Sequence, residues 1–444
     1  MDLMNRNLLN LRIDLSSNAA SSSKQDPRLV AAIDKLYYNQ SNGYLNDNNM
    51  LLPERKLDFL EVNMLLKHSP ADNGKEILFY VLKIKETREL RKGIQNKIEV
   101  ILGNINTSAD RGETPRLIIR NQRLWSNCIY DLDRVTLKNI SHAKTTTIRY
   151  SNVEEKSRFN TIVFILSRVH ELMAKNLTVT RRELYYQNLG RFRNQGELDI
   201  GVRDVCCLLE TPPWDLGIVA TAKGLIAGPL QIVKRDGSVV DCMTTGGTLI
   251  PQDINGIKEL KSPAKYILVV EKDAVFQKLL DEGALVRLHP VIIITGKGYP
   301  DVCTRQLLCR LVSELKLKAL GLVDADPHGY EIFLTYKYGS LAQSHLSSSL
   351  ACPKLLLLGA RMQDVLTLAP KASRLALNSL DKRKLTALLK RPYLNSVIGS
   401  VIRKELMSML NSGIKAEIES LASSASALCD SYLPSKIIQG EYLG

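Results

Sequence analysis

The chain has 444 residues, 45% of them hydrophobic and 24% charged, enough for two or three domains with a buried core. No apolar run approaches the roughly 18 residues that span a bilayer. The N-terminus also lacks a signal-peptide pattern, so no membrane association is expected. The formal net charge of +14 raises the local concentration of anions and favours polyanionic partners such as nucleic acid. The eight cysteines contain no Cys-x-x-Cys pair. That argues against a zinc site or disulfide framework, for buried thiols, and for a reducing intracellular compartment.

In chain order, residues 16–27 are rich in Ser, Asn and Ala and are expected to be disordered. The stretch to residue 73 is poorly specified, apart from an apolar-rich run at 57–66. From Lys75, Ile77, Leu78, Val81 and Leu82 stand at helical spacing, and Leu90, Ile94, Ile98, Val100 and Ile101 fall on roughly one face. Such an amphipathic helix packs on its own domain or docks on a partner chain, and spacing leaves both readings open.

Residues 115–150 read as short strands and loops, with β-prone pieces at 117–119 and 135–137. A helix is predicted over 157–175, striped by Ile162, Ile165, Leu166, Val169, Leu172 and Met173. A brief strand at 177–179 leads into Thr180-Arg181-Arg182-Glu183, a capping box that starts a short helix carrying Tyr185 and Tyr186. Another helix follows over 198–209. Short strands over 217–242 come next, with a hairpin turn at Asp236-Gly237. Helices followed by a hairpin describe a winged helix-turn-helix, which lays one helix in the DNA major groove.

Past Pro263 the rhythm becomes α/β. Residues 266–270, 291–295, 319–323 and 355–358 are nearly continuous apolar runs, as in a parallel sheet buried on both faces. Helical stretches at 273–280, 304–315 and 329–337 separate them, and the chain beyond Arg361 reads as helical to its end. This is an open α/β sheet. Glu271 follows the first of these strands, and Asp324 and Asp326 follow the third. Ligands of open α/β sheets bind outside the carboxyl ends of the strands, so topology converges the three acids on one edge. Grouped carboxylates repel one another and call for a cation, and all-oxygen ligation suits Mg²⁺.

A strand ending in Glu, followed by a later strand ending in Asp-x-Asp, resembles a Toprim domain. Four further segments narrow the resemblance. They are Lys223-Gly224-Leu225-Ile226-Ala227-Gly228, residues 294–301 (Ile-Thr-Gly-Lys-Gly-Tyr-Pro-Asp), Asp324-Ala325-Asp326-Pro327-His328-Gly329 and Lys337-Tyr338-Gly339-Ser340. From about Leu90 onward the chain resembles the eukaryotic meiotic double-strand-break family, homologous to the topoisomerase VI A subunit. The first 70 or so residues carry none of the resemblance.

The resemblance implies an N-terminal extension (1–105), a winged-helix domain with the nucleophile (106–255) and a Toprim metal-binding domain (256–444). The family's Arg-Asp/Glu-x-Tyr/Phe-Tyr motif falls on Arg182, Glu183, Leu184, Tyr185 and Tyr186, placing the nucleophile at Tyr186. Helical geometry alone does not choose between the tyrosines, which point about 100° apart. The implied reaction is attack of Tyr186 on a backbone phosphorus of double-stranded DNA, leaving a 5′-phosphotyrosyl link. A free phenol costs roughly 4 kcal/mol to ionise at pH 7, so the reaction needs help. Arg182, one helical turn earlier, can reach the same phosphate or contact the DNA backbone. Asp324 and Asp326 are expected to hold Mg²⁺, with Glu271 positioning the metal or acting as general acid–base. Lys223, Lys297, Arg305 and His328 are further candidates for contacting DNA.

The resemblance also implies nuclear action and a homodimer or heterodimer of A-type subunits, in which Tyr186 of one protomer meets the acids of the other. No GxxxxGK[ST] loop is present, so any ATPase would come from a topoisomerase VI B-like subunit. Three rivals stand beside this reading: the A subunit of an ATP-dependent topoisomerase VI, a catalytically inactive DNA-binding paralogue, and a Toprim nuclease that uses water.

Overall fold

The computed structural model describes residues 74–122, 124–130, 134–421 and 427–444, with side chains from residue 87 onward. The expectations for residues 16–27 and 57–66, and for the side chains at 77–82, lie outside the described residues. The chain divides into two compact units, Met1–Pro115 and Arg116–Gly444.

In the first unit the described part is one long helix, α1 (Gly74–Asp110), which runs into a turn at Arg111-Gly112. Its buried stripe is Ile94, Ile98, Leu102 and Ile105, while Leu90 and Val100 are exposed. The expected face therefore needs correction. Val100 lies two residues, about 200°, from Ile98 and cannot share its side, whereas steps of four and three keep Leu102 and Ile105 in line.

The second unit opens with four short strands, β1 (Arg116–Arg120), β2 (Cys128–Ile129), β3 (Thr136–Leu137) and β4 (Thr145–Arg149). β1 pairs antiparallel with β4, and β2 with β3. Helix α2 (Val153–Lys175) starts where the Asn152 side chain accepts from the Glu154 amide. It ends at Asn176 in the left-handed region, where a short polar side chain is tolerated. Phe159, Ile162, Ile165, Leu166, Val169 and Met173 form its buried stripe, close to the predicted one. Then come β5 (Val179–Thr180), α3 (Arg181–Tyr186), α4 (Gln195–Leu209) and β6 (Ile218–Val219), with β5 and β6 paired in parallel. α4 packs against α2 and β1.

Strands β7 (Leu225–Ala227), β8 (Gln231–Lys234), β9 (Val239–Asp241), β10 (Thr248–Leu249) and β11 (Ile257–Lys261) follow. β8 and β9 form the expected hairpin, turning through Asp236-Gly237 with Gly237 at φ 82°. β11 adds to its other side. Ile232 of this hairpin, and Cys242 just past it, join the apolar cluster of the large sheet that comes next. The hairpin thus serves that core, a placement its turn chemistry does not encode.

The large sheet is built on β12 (Tyr266–Val270), β13 (Val291–Thr295), β14 (Lys318–Leu322) and β15 (Leu355–Gly359), all within a residue of the predicted spans. Its order is β10-β7-β13-β12-β14-β15, with the last four strands parallel and β7 antiparallel to β13. Every residue of β13 is buried, which explains its unbroken apolar run. The intervening helices are α5 (Asp273–Asp281), α6 (Ala284–Arg287), α7 (Val302–Glu314), α8 (Pro327–Tyr338) and α9 (Ser347–Leu350). Beyond the sheet lie α10 (Met362–Leu368), β16 (Leu375–Ala376), α11 (Ser379–Leu389), α12 (Val397–Ser412), β17 (Ile414–Lys415) and α13 (Leu433–Gln439). The tail is therefore not purely helical as expected, because β16 and β17 pair antiparallel across the two intervening helices. All eight cysteines are free thiols and seven of them are buried. No described helix is long and apolar enough to cross a membrane.

Candidate active site

Strand β12 lies between β13 and β14, in register from Tyr266 to Val270. Glu271, the next residue, and Asp324, two residues past β14, therefore leave adjacent strands at the same edge. Both are nearly buried, at 8% and 6% exposure. The Asp324 amide donates to Glu271 Oε2 at 2.8 Å, tying the two strand ends together. Asp324 Oδ1 accepts from the Ile418 amide at 2.9 Å. Asp326 N-caps α8, its Oδ1 accepting from the Gly329 amide at 2.6 Å, with Pro327 in the first turn where a missing N–H costs nothing.

Burial, then the Asp324 carboxylate, pushes the Glu271 carboxyl up to about 8, with Asp326 adding to the rise. Burial likewise lifts Asp324 to about 6, against the Ile418 amide and the Lys272 ammonium that favour its charged form. Among the described residues, no three His, Cys, Asp or Glu side chains are converged tightly enough to enclose an ion. The donor set nevertheless fits a hard cation: carboxylate oxygens only, those of Glu271 and Asp324 buried on adjacent strand ends and mutually repelled when charged, with half-buried Asp326 at the start of α8. At Asp324 a cation already stands in, because Lys272 Nζ lies 3.0 Å from Oδ2.

The tyrosine pair sits on another element. α3 begins with the predicted capping box: the Glu183 amide donates to Thr180 Oγ1 at 3.1 Å, and the Thr180 amide to Glu183 Oε2 at 3.3 Å. Leu184 is the buried residue that anchors this six-residue helix, which packs on α4 and β5. Tyr186 is 65% exposed. Tyr185 is half-buried, its ring 5.6 Å from that of Tyr186 and 6.5 Å from Phe192. Arg182 is exposed on the same helix as Tyr186.

The four remaining candidates divide. Arg305 is corrected: it is 2% exposed, its Nε donating to the Leu350 carbonyl at 3.0 Å and its Nη1 to Gln343 Oε1 at 2.6 Å. It braces the 340–350 segment from inside and is not placed to meet DNA. Lys223 is exposed and donates to the Lys297 carbonyl at 3.1 Å, while Lys297 pairs with Asp273 at 3.0 Å. His328, exposed on the first turn of α8, has Nδ1 3.4 Å from the Tyr299 hydroxyl. Glu417 and Glu419, which reach Lys272 from 145 and 147 residues away, carry no motif that could have marked them.

An α/β sheet with paired acids past adjacent strands is the Toprim arrangement, and residues 266–437 match the family model for the Toprim domain of Spo11 and the topoisomerase 6 A subunit. Residues 157–218, which include α3, match "Type IIB DNA topoisomerase". The chain is 39% identical over 350 residues to "Meiotic recombination protein SPO11" of Homo sapiens, covering 78% of this chain and 87% of the relative. It is 38% identical over 298 residues to "Meiotic recombination protein W68" of Drosophila melanogaster (67% and 87% covered). It is 34% identical over 356 residues to the DNA topoisomerase 6 A subunit of Arabidopsis thaliana (79% and 81% covered). The chain belongs to the family that unites Spo11 with the topoisomerase 6 A subunit.

Proposed function

We propose that this protein breaks double-stranded DNA by tyrosine transesterification to initiate meiotic recombination, acting in the nucleus. The observation that carries the reading is the exposed Tyr186 on a capped, anchored helix, in a chain whose sheet edge gathers buried acids. Tyr186 loses its phenolic proton and its oxygen bonds to phosphorus. The bond to the 3′ oxygen then breaks, and that oxygen takes up a proton and leaves as a hydroxyl. The product is a 5′-phosphotyrosyl protein–DNA link. Arg182, one turn before Tyr186, holds the attacked phosphate. Glu271, Asp324 and Asp326 hold Mg²⁺, which when bound supplies positive charge against that developing on the phosphoryl group and leaving oxygen.

Residues 116–255 form the winged-helix domain, the boundary expected at 106 falling inside α1, and 256–444 the Toprim domain, with β7 and β10 of the former lent to the sheet of the latter. α3 and α4 are the helix-turn-helix of that domain. α3 packs on α4 and β5, and the sites of the dimer combine Tyr186 of one protomer with the acids of its partner. The dimer joins two A-type subunits, and a B-type subunit supplies any ATPase. Relatives named for meiotic recombination reach 39% identity over 350 residues, against 34% and 36% for two topoisomerase 6 A subunits, which favours the meiotic role over strand passage.

The test is covalent trapping on end-labelled DNA with Tyr186→Phe. Adducts are expected to vanish while DNA affinity stays within about twofold, since one hydroxyl contributes little to a contact dominated by phosphate charge. Adducts persisting in the variant would remove Tyr186 from the role. Supercoil relaxation with resealing in the presence of a B-type subunit would instead identify a topoisomerase.

A further inference from the structure

The ammonium of Lys272 is shared among three carboxylates. Its Nζ lies 3.0 Å from Asp324 Oδ2, 3.1 Å from Glu417 Oε2 and 3.2 Å from Glu419 Oε2. The segment carrying the two glutamates is itself fastened to the acidic edge. Ala416 bridges to Ala325, and the Ile418 amide takes the other Asp324 oxygen. The three anions are not equivalent. Asp324 is 8% exposed at its side chain, whereas Glu417 is 60% and Glu419 39% exposed. An ammonium on Asp324 answers a buried charge that would otherwise be uncompensated, but it also repels any divalent cation approaching the same oxygen. Glu417 and Glu419 give it somewhere else to stay.

We propose that Lys272 is a positioning residue, the resident counter-ion of the acidic edge, exchanged at Asp324 for the incoming divalent cation while Glu417 and Glu419 retain it. The exchange rests on the reading of Glu271, Asp324 and Asp326 as a metal site. One oxygen of the set is held by an ammonium until the ion arrives. The exchange also gives Glu417 and Glu419 a part in metal affinity although neither need touch the metal.

The exchange is read by titrating the full chain with Mn²⁺ alone, without DNA, and following free Mn²⁺ by electron paramagnetic resonance. Lys272→Met is expected to tighten Mn²⁺ binding by about tenfold. The same variant should melt lower than the parent without metal and regain that loss when Mn²⁺ is added. Lys272→Arg, which keeps the charge, should bind like the parent. The double variant Glu417→Gln, Glu419→Gln should bind more weakly by about threefold or more, because Lys272 then has only Asp324. This arm stands by itself if Lys272→Met does not fold. Asp324→Asn should lose the ion. Loss in Asp324→Asn with unchanged or weaker binding in Lys272→Met overturns the exchange but leaves the metal site standing. Mn²⁺ bound equally well by Asp324→Asn overturns both.

Discussion

At Gly329, in the first turn of α8, the chain has no room for a side chain. A Cβ on Gly329 would stand 2.4 Å from the Asp324 carbonyl oxygen, 2.9 Å from the Asp324 nitrogen and 2.9 Å from Glu271 Oε2. Two of these are backbone atoms that cannot swing aside, so the glycine lets the helix start close against the acidic edge. Gly329→Ala is expected to lower stability by about 2 kcal/mol, as overpacking does, and to disturb the Glu271–Asp324 contact. Gly103→Ala is the control: it lies inside α1 with nothing within 4 Å, and should gain up to about 1 kcal/mol of helix propensity. Thermal melts of the two variants decide it, and a Gly329→Ala protein as stable as the parent would contradict the close approach. Burial likewise separates residues that look alike on paper. Tyr185 and Tyr186 are adjacent and chemically identical, but one packs toward Phe192 and the other faces outward. Arg305 reads as a surface cation beside a Gly-Lys-Gly turn, and in three dimensions it is an internal brace.

At the scale of elements, the local chemistry of α3 matters more than its length. Six residues are too few for a helix to persist alone, so its start depends on the reciprocal bonds of Thr180 and Glu183 and its position on buried Leu184. Thr180→Ala should cost about 1 kcal/mol locally, the usual value of a lost N-cap. Amide exchange over 183–187 is expected to quicken, with covalent adduct formation falling while the global melting temperature hardly moves. Exchange rates identical to the parent would mean that packing on α4 alone holds the helix. The capping box was legible because it is a four-residue pattern with its own hydrogen-bond logic. The strands β12 to β15 were legible for a different reason: burial on both faces leaves only apolar runs. The pairing of β16 with β17 was not, because two residues at each end of a long excursion carry no periodicity.

At the scale of the whole molecule, the proposed division of labour between protomers has a decisive consequence. A dimer assembled from one Tyr186→Phe chain and one Asp324→Asn chain has two fates. If each site combines the tyrosine of one protomer with the acids of its partner, one site is doubly disabled and the other intact. The mixed dimer should then nick one strand at about half the parental number of covalent ends, whereas either homodimer makes none. If each chain were self-sufficient, both sites of the mixed dimer would be dead. Strand-resolved labelling of the cut DNA reads the difference, and complete inactivity of the mixed dimer would exclude the shared site. The net charge of +14 fits a long polyanionic partner at this scale, although it locates no site by itself.

By itself the sequence determined the four parallel strands of the α/β sheet, the capped helix with its tyrosine pair, and the placing of Glu271 and Asp324 past adjacent strand ends. Each of these follows from local periodicity, turn chemistry or the rule that strand ends gather ligands. Only the tertiary structure decided that the β8–β9 hairpin serves the core of the large sheet, that Arg305 is internal, and that Glu417 and Glu419 meet Lys272 beside Asp324. The physical reason is common to all three. Burial and ion pairing between residues roughly 50 to 150 positions apart are set by how elements pack, and packing leaves no short-range trace in the order of the residues.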